Sequence, residues 1–170
     1  MKRLLVFSTF FALTLAGQAS AQSTATASAS ATANVLAPIT LTKTSDLVFG
    51  SMTRPTSGSS SIKIDEVSGG RSLVSGTATL ATTSGVTPGR AGFSVGGDGS
   101  QTFTISTPPS VTMTRSGGTE TLSPTLTATG ATGTLSGGAA TFGVGGTLSI
   151  DNSTVAGSYS GTFTETVAYN

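Results

Sequence analysis

Apolar residues recur at every second position along much of this chain, mostly with threonine or serine between them. Ile62-Lys63-Ile64, Phe93-Ser94-Val95, Phe103-Thr104-Ile105, Val111-Thr112-Met113 and Leu148-Ser149-Ile150 all follow the pattern. Successive side chains of an extended backbone point to opposite faces, so this period turns one face inward and leaves the other to water. The intervening residues suit the role: of 170 residues 33 are Thr and 26 Ser, and β-branched Thr fits a pleated surface. No stretch beyond the first 21 residues offers a helical i, i+3, i+4, i+7 stripe. Gly69-Gly70, Gly96-Gly97, Gly117-Gly118, Gly137-Gly138, Gly145-Gly146 and Pro108-Pro109 read as turns between strands. Short strands with such punctuation predict an all-β antiparallel sandwich or barrel, and we take the sandwich. The glycine pairs come at irregular intervals, which argues against a solenoid or propeller.

The same composition narrows the chemistry. There is no His, Cys or Trp, and only 15 residues carry a formal charge. That removes an imidazole base, a thiol nucleophile, a disulfide framework and a zinc site built from those ligands. Ser-His-Asp and Cys-His arrangements are excluded with them. So few charges leave no electrostatic footprint for nucleic acid.

The first 21 residues read as a secretory signal. Lys2 and Arg3 form a positive head, Leu4 to Leu15 an apolar stretch, and Ala19-Ser20-Ala21 the small residues a signal peptidase needs. The apolar stretch is too short to span a bilayer, and no second one follows, so no membrane span is expected in the mature chain. Cleavage after Ala21 leaves 149 residues with six basic and seven acidic side chains, a balance of −1 against +1 for the precursor. So small a charge gives little self-repulsion and permits close packing of copies. Leu, Ile, Val and Phe number 29 in those 149 residues, enough for one lean core in a chain this long.

The two ends carry the functional signal. From residue 25 to 41 every odd position is apolar: Ala25, Ala27, Ala29, Ala31, Ala33, Val35, Ala37, Ile39, Leu41. Pro38 has no N–H for a ladder and divides the run, which places an N-terminal extension at residues 22–37 and a single sandwich domain at 38–170. One reading of the extension is a disordered Ala/Ser/Thr linker. The other is a strand that must find an acceptor, with Ala25, Ala27, Ala29, Ala31, Ala33, Val35 and Ala37 facing it. Five Ala methyls contribute at most about 0.8 kcal/mol each, so ladder hydrogen bonds and Val35 must do most of the anchoring. At the other end Gly157, Tyr159, Gly161, Phe163, Glu165, Val167 and Tyr169 share one face of what reads as a long final strand. Gly157 is fourteenth from the end, Tyr169 is penultimate, and Glu165 is the only charged intruder.

On Gly157, Tyr169 and the alternation between them, the tail resembles that of chaperone–usher pilins. The resemblance implies an incomplete immunoglobulin-like, pilin-like fold completed by the extension of a neighbouring subunit. It also implies a periplasmic chaperone that holds the final strand through residues such as Gly157, Tyr159, Phe163, Val167 and Tyr169 and clamps the carboxylate of Asn170, and an outer-membrane usher. Over roughly residues 35–170, the runs ITLTKTSDLVFGSM, AGFSVGG, TFTISTPPS, FGVGGTLSI and AGSYSGTFTETVAYN are similar to an uncharacterised family of secreted Gram-negative domains. That family is usually compared with Mat/Ecp common-pilus subunits and spore-coat-like secreted proteins, which implies a fold and a cell-surface or extracellular location but no activity. Two departures stand out: there is no Cys pair, and the extension uses Ala where bulkier residues usually fill the groove.

Rival chemistries find little support. Asp65 and Glu66 are adjacent and would point to opposite faces of a strand, while Asp98 and Asp151 look like turn residues. Nothing in their spacing sets up the carboxylate pair of a glycosidase, and no enzyme is expected. Sugar-binding modules often use aromatic platforms, but Phe49, Phe93, Phe103, Phe142 and Phe163 all sit in strand-like runs and read as core. No cofactor is expected; a structural calcium at Asp98 or Asp151 stays open, without an EF-hand or repeated Gly-Asp loop. Thr-x-Thr triplets such as Thr102/Thr104 raise an ice-binding ladder, but outward faces of ordinary strands give the same pattern. Asn152-Ser153-Thr154 fits a glycosylation sequon and reads as a turn. The expectation is a secreted structural subunit of a surface fibre, assembling non-covalently with copies of itself or related subunits. The alternative is a monomeric surface-associated binding module or adhesin with a disordered linker.

Overall fold

The computed structural model describes residues 23–82 and 85–170. The expected signal peptide, residues 1–21, lies outside the described residues, as does Gln22. The chain divides into two units, Met1–Asn34 and Val35–Asn170. In the first, residues 23–34 are exposed and carry no strand.

The second unit contains strands and, among the described residues, no helix. In chain order they begin with β1 (Thr40–Ser45), β2 (Ser51–Met52), β3 (Ser59–Ile64), β4 (Arg71–Ser75) and β5 (Leu80–Ala81). Next come β6 (Ala91–Gly96), β7 (Thr102–Ser106), β8 (Met113–Arg115), β9 (Thr121–Leu122) and β10 (Thr125–Ala128). The last are β11 (Thr132–Thr134), β12 (Ala139–Asp151), β13 (Tyr159–Ser160) and β14 (Thr166–Tyr169). Every pairing is antiparallel. The largest sheet runs β1-β6-β12-β3-β4, with β10 also on β12; the smaller ones are β11-β7-β14, β13-β8-β9 and β2-β5. The all-β, antiparallel architecture follows directly from the alternation: β3, β6 and β7 bury every second residue.

β12 organises the core. Residues 139–144 pair with β6 and residues 146–151 with β3, while β10 lies along residues 144–147. One apolar cluster forms around the first half of β12, with Phe93, Val95, Phe103, Ile105, Phe142 and Val144 buried. A second forms around its other half, from Phe49, Ile62, Ile64, Leu148 and Ile150. Leu47 and Met113 pack against both. Phe93 and Phe142 are cross-strand partners whose rings stack at 5.1 Å, and Phe163 meets Phe93 edge-on at 6.5 Å. Burial of side chains this size contributes about 1.5–3 kcal/mol each, so these residues supply much of the stability.

Two expectations are corrected. Gly145-Gly146 is not a turn but the middle of β12, where residues 142–146 are buried without interruption. A Cβ on Gly145 would run into the Ile64 carbonyl and come within 2.6 Å of the Glu66 amide nitrogen, so these glycines mark a close backbone approach. The final strand is also not continuous. β13 pairs with β8 and β14 with β7, and residues 161–165 between them form no strand. Gly161 there lies against the Thr112 carbonyl, too close for a side chain. A period of two specifies a face and not a partner, which is how one alternating run spans two sheets.

Candidate functional site

A groove of about 730 Å³ opens in the domain. One wall is residues 47–54, the other residues 154–161, and the floor includes Met113, Leu122, Leu148 and Ile150. The walls contain β2 and β13, each at the edge of its sheet. An edge strand presents backbone N–H and C=O groups that an added strand can pair with. Leu47, Phe49 and Met52 on one side and Val155 and Ala156 on the other bring apolar side chains to an interior that also holds Ser51, Thr53, Arg54 and Ser158. Arg54 joins the two walls, its guanidinium donating to the Thr154 carbonyl at 3.3 Å. The first wall is held from behind by Arg71, which donates to the carbonyls of Phe49 (3.1 Å), Ser51 (2.9 Å) and Ala81 (2.9 Å). Ser51 and Ala81 are partners in the short ladder of β2 with β5, so the guanidinium spans both strands.

A smaller cleft of about 330 Å³ adjoins the groove and shares Leu122, Ile150 and Tyr159 with it. It contains Glu120 and Asp151. Arg115 grips Glu120 at 2.8 and 3.1 Å and holds its carboxyl down to about 2. Asp151 accepts from the Ser153 and Thr154 hydroxyls and the Ser153 amide, which lowers its carboxyl below the ordinary range. The Asn152-Ser153 turn expected at the sequon is formed around this carboxylate. Asp65 and Glu66 sit in the turn after β3 instead of on a strand, with Lys63 3.2 Å from Glu66 and 3.7 Å from Asp65. The Ser68 amide and hydroxyl hold Asp65 down to about 2. Charged to low pH, Glu120, Asp151 and Asp65 are hydrogen-bond acceptors that lock turns. Among the described residues no group of three or more metal-ligating side chains comes together, and no helix is long and apolar enough to cross a membrane.

The N-terminal candidates belong to no strand. Ala25, Ala27, Ala29, Ala31 and Ala33 are exposed without strand structure, and Val35 is 89% exposed. Ala37 is the first of them with a described tertiary bond: its carbonyl accepts from the Tyr169 hydroxyl at 2.9 Å. Ile39 and Leu41 then pack against the first cluster.

The C-terminal candidates fall into two groups. Gly157 and Tyr159 line the groove, and the Tyr159 hydroxyl donates to the Val155 carbonyl at 2.7 Å. Phe163, Val167 and Tyr169 pack instead against the first cluster. Asn170 donates its amide to the Thr102 carbonyl at 3.2 Å and its side-chain Nδ2 to the Thr102 hydroxyl at 3.0 Å, while Thr104 donates to its Oδ1. Between the groups lies Glu165, 7% exposed, with one oxygen accepting from the Thr107 hydroxyl at 2.7 Å and the other buried without a partner. None of the ion pairs among the described residues includes it.

Burial raises the Glu165 carboxyl above its ordinary 4.5. Its contribution to stability is therefore complete below that value and is lost as pH rises through the raised one. Glu165→Gln, which imitates the protonated form, is expected to raise Tm at pH 8 and to leave it nearly unchanged at pH 3. Thermal melts across that range check it; a variant destabilised equally at both pH values would contradict the assignment.

Sequence reasoning missed the groove wall of residues 47–54 and the Arg71 clamp. The period-two run through Leu47 and Phe49 was a usable signal for the wall; nothing in the sequence pairs Arg71 with three carbonyls. The family described as "Domain of unknown function (DUF4402)" matches residues 39–169. No curated protein matches the chain, and no solved structure does.

Proposed function

The chain belongs to the DUF4402 family, a domain of unknown function, and from that premise we propose that it is a structural subunit of a secreted surface fibre. The extension of one copy, with Ala25 to Ala37 facing inward, adds as a strand to the groove of the next. The observation that carries this reading is a groove with an apolar floor walled by the edge strands β2 and β13, on a chain whose residues 23–35 are exposed and carry no strand. Neither half is satisfied alone. Fixing an extended residue costs about 1–2 kcal/mol, and a ladder hydrogen bond returns about 0.5–1.5 kcal/mol, so apolar contact with the floor has to tip the balance. Ala methyls give the leader a thin profile that suits a floor already filled by Leu148, Ile150 and Met113.

The resemblance to Mat/Ecp-type and chaperone–usher subunits supports the same reading. Its ITLTKTSDLVFGSM run supplies the first wall, FGVGGTLSI the floor, and AGSYSGTFTETVAYN the second wall. Two edge strands beside a groove with an apolar floor are an aggregation hazard, so export through the periplasm under a capping chaperone and an outer-membrane usher completes the proposal. The domain is then pilin-like, with an immunoglobulin-like sandwich short of one strand, and it has no enzymatic role.

The test compares residues 22–170 with residues 38–170 by sedimentation and electron microscopy, adding a synthetic peptide of residues 23–38 to the shorter protein. The longer protein is expected to form filaments. The shorter one stays monomeric and melts several degrees higher with peptide bound, since a ligand that binds only the folded state stabilises it. Equal assembly of both forms, with no effect of peptide, would overturn the reading in favour of a monomeric binding module. That second reading has one observation on its side: residues 23–34, exposed and without strand, are also what a linker looks like.

A further inference from the structure

We propose that Tyr169 is a positioning residue that latches Ala37, at the root of the N-terminal extension, to the last strand of the domain. Its hydroxyl accepts from the Asp98 amide at 2.8 Å and donates to the Ala37 carbonyl at 2.9 Å. One oxygen thus ties together three segments far apart in sequence: the last strand, the turn after β6, and the residue before Pro38. The surroundings are shaped for it. A Cβ on Gly97 would collide with that hydroxyl and lie 2.8 Å from a Leu135 methyl, so the glycine leaves the space the phenol occupies. The ring packs on the first apolar cluster, and β14 is registered on β7 through Tyr169↔Phe103. Val35, two residues before the latched carbonyl, is 89% exposed, so the chain reaches solvent almost directly from this bond.

A subunit that offers its leader to a neighbour gains from a fixed root, because a preorganised strand loses less conformational freedom on docking. The latch also joins the two ends. Drawing β14 away from β7 breaks the bond to Ala37, so whatever holds the final strand frees the leader at the same moment. The use of the leader rests on the assembly reading above; the latch itself does not.

Tyr169→Phe keeps the ring and removes only the hydroxyl. The chain has no cysteine, so Val35→Cys and Ser100→Cys give a clean pair of spin labels. With Tyr169 intact the distance distribution between them is expected to be narrow. With Phe it broadens, while cooperative unfolding is retained and the Asp98 amide exchanges about fivefold faster, as for loss of one hydrogen bond. Gly97→Ala, which displaces the hydroxyl from the other side, broadens the distribution in the same way. Unchanged distributions in both variants would overturn the latch. Because the distances are read on monomers, broadening in a protein that never forms fibres supports the latch and defeats the assembly reading. Fibres with unchanged distances do the reverse.

Discussion

Phe103→Ala is expected to cost about 3–5 kcal/mol and to lower Tm by roughly 10–20 °C, measured by calorimetry at neutral pH. Phe103 is 1% exposed and sits in β7, the central strand of the sheet β11-β7-β14. Its ring covers Gly133, its partner on β11, closely enough to take the space a side chain would need there. On the other side its partner is Tyr169. Truncation therefore opens a void against two strands at once, and a glycine cannot move a side chain in to fill it. A domain stable by only 5–15 kcal/mol in total loses a large share of its margin. A loss below about 1 kcal/mol would mean that β11 and β14 are not held through this ring.

The second large effect is expected at Gly145. Gly145→Ala adds one methyl, but the atoms it meets belong to the backbone of Ile64 and Glu66, which cannot swing aside as a side chain tip would. Overpacking of this kind costs about 1–3 kcal/mol where side chains can adjust, and more where they cannot. The substitution is expected to cost at least about 3 kcal/mol and to disturb the pairing of β12 with β3, which denaturant melts and amide exchange on β3 would report. Gly85→Ala supplies the contrast for space: its added methyl meets nothing within 4 Å. Its backbone stands at φ +82°, however, so it carries a conformational cost with no steric one.

Much of this fold is legible in the sequence. Ile62, Ile64, Phe93, Val95, Phe103, Ile105, Leu148 and Ile150 are all buried, because alternation reports directly which face of a strand is turned inward. What alternation leaves out is the neighbour. That is why the run from Gly157 to Tyr169 read as one strand although it serves two sheets. It is also why Gly145-Gly146 read as a turn: a glycine pair at a close approach inside a strand has the same spelling as a pair in a loop. The groove was out of reach for another reason. Its walls are about a hundred positions apart, and a cavity belongs to the pairing of distant segments, not to either of them. Glu165 stood out as a lone charge on an apolar face, but its unpartnered oxygen depends on what the other elements bring near it.

The chain has no cysteine and so no disulfide, and β12 supplies buried residues to both apolar clusters. A pull applied at Thr40 runs into β1, whose bonds to β6 lie side by side along the strand, and from β6 into β12. Loaded along its length, such a ladder must give way at many bonds together, whereas a peeled one fails a rung at a time. Tension would then pass into a single extended segment of thirteen residues, with tensile strength drawn from hydrogen bonds and packing and from no disulfide.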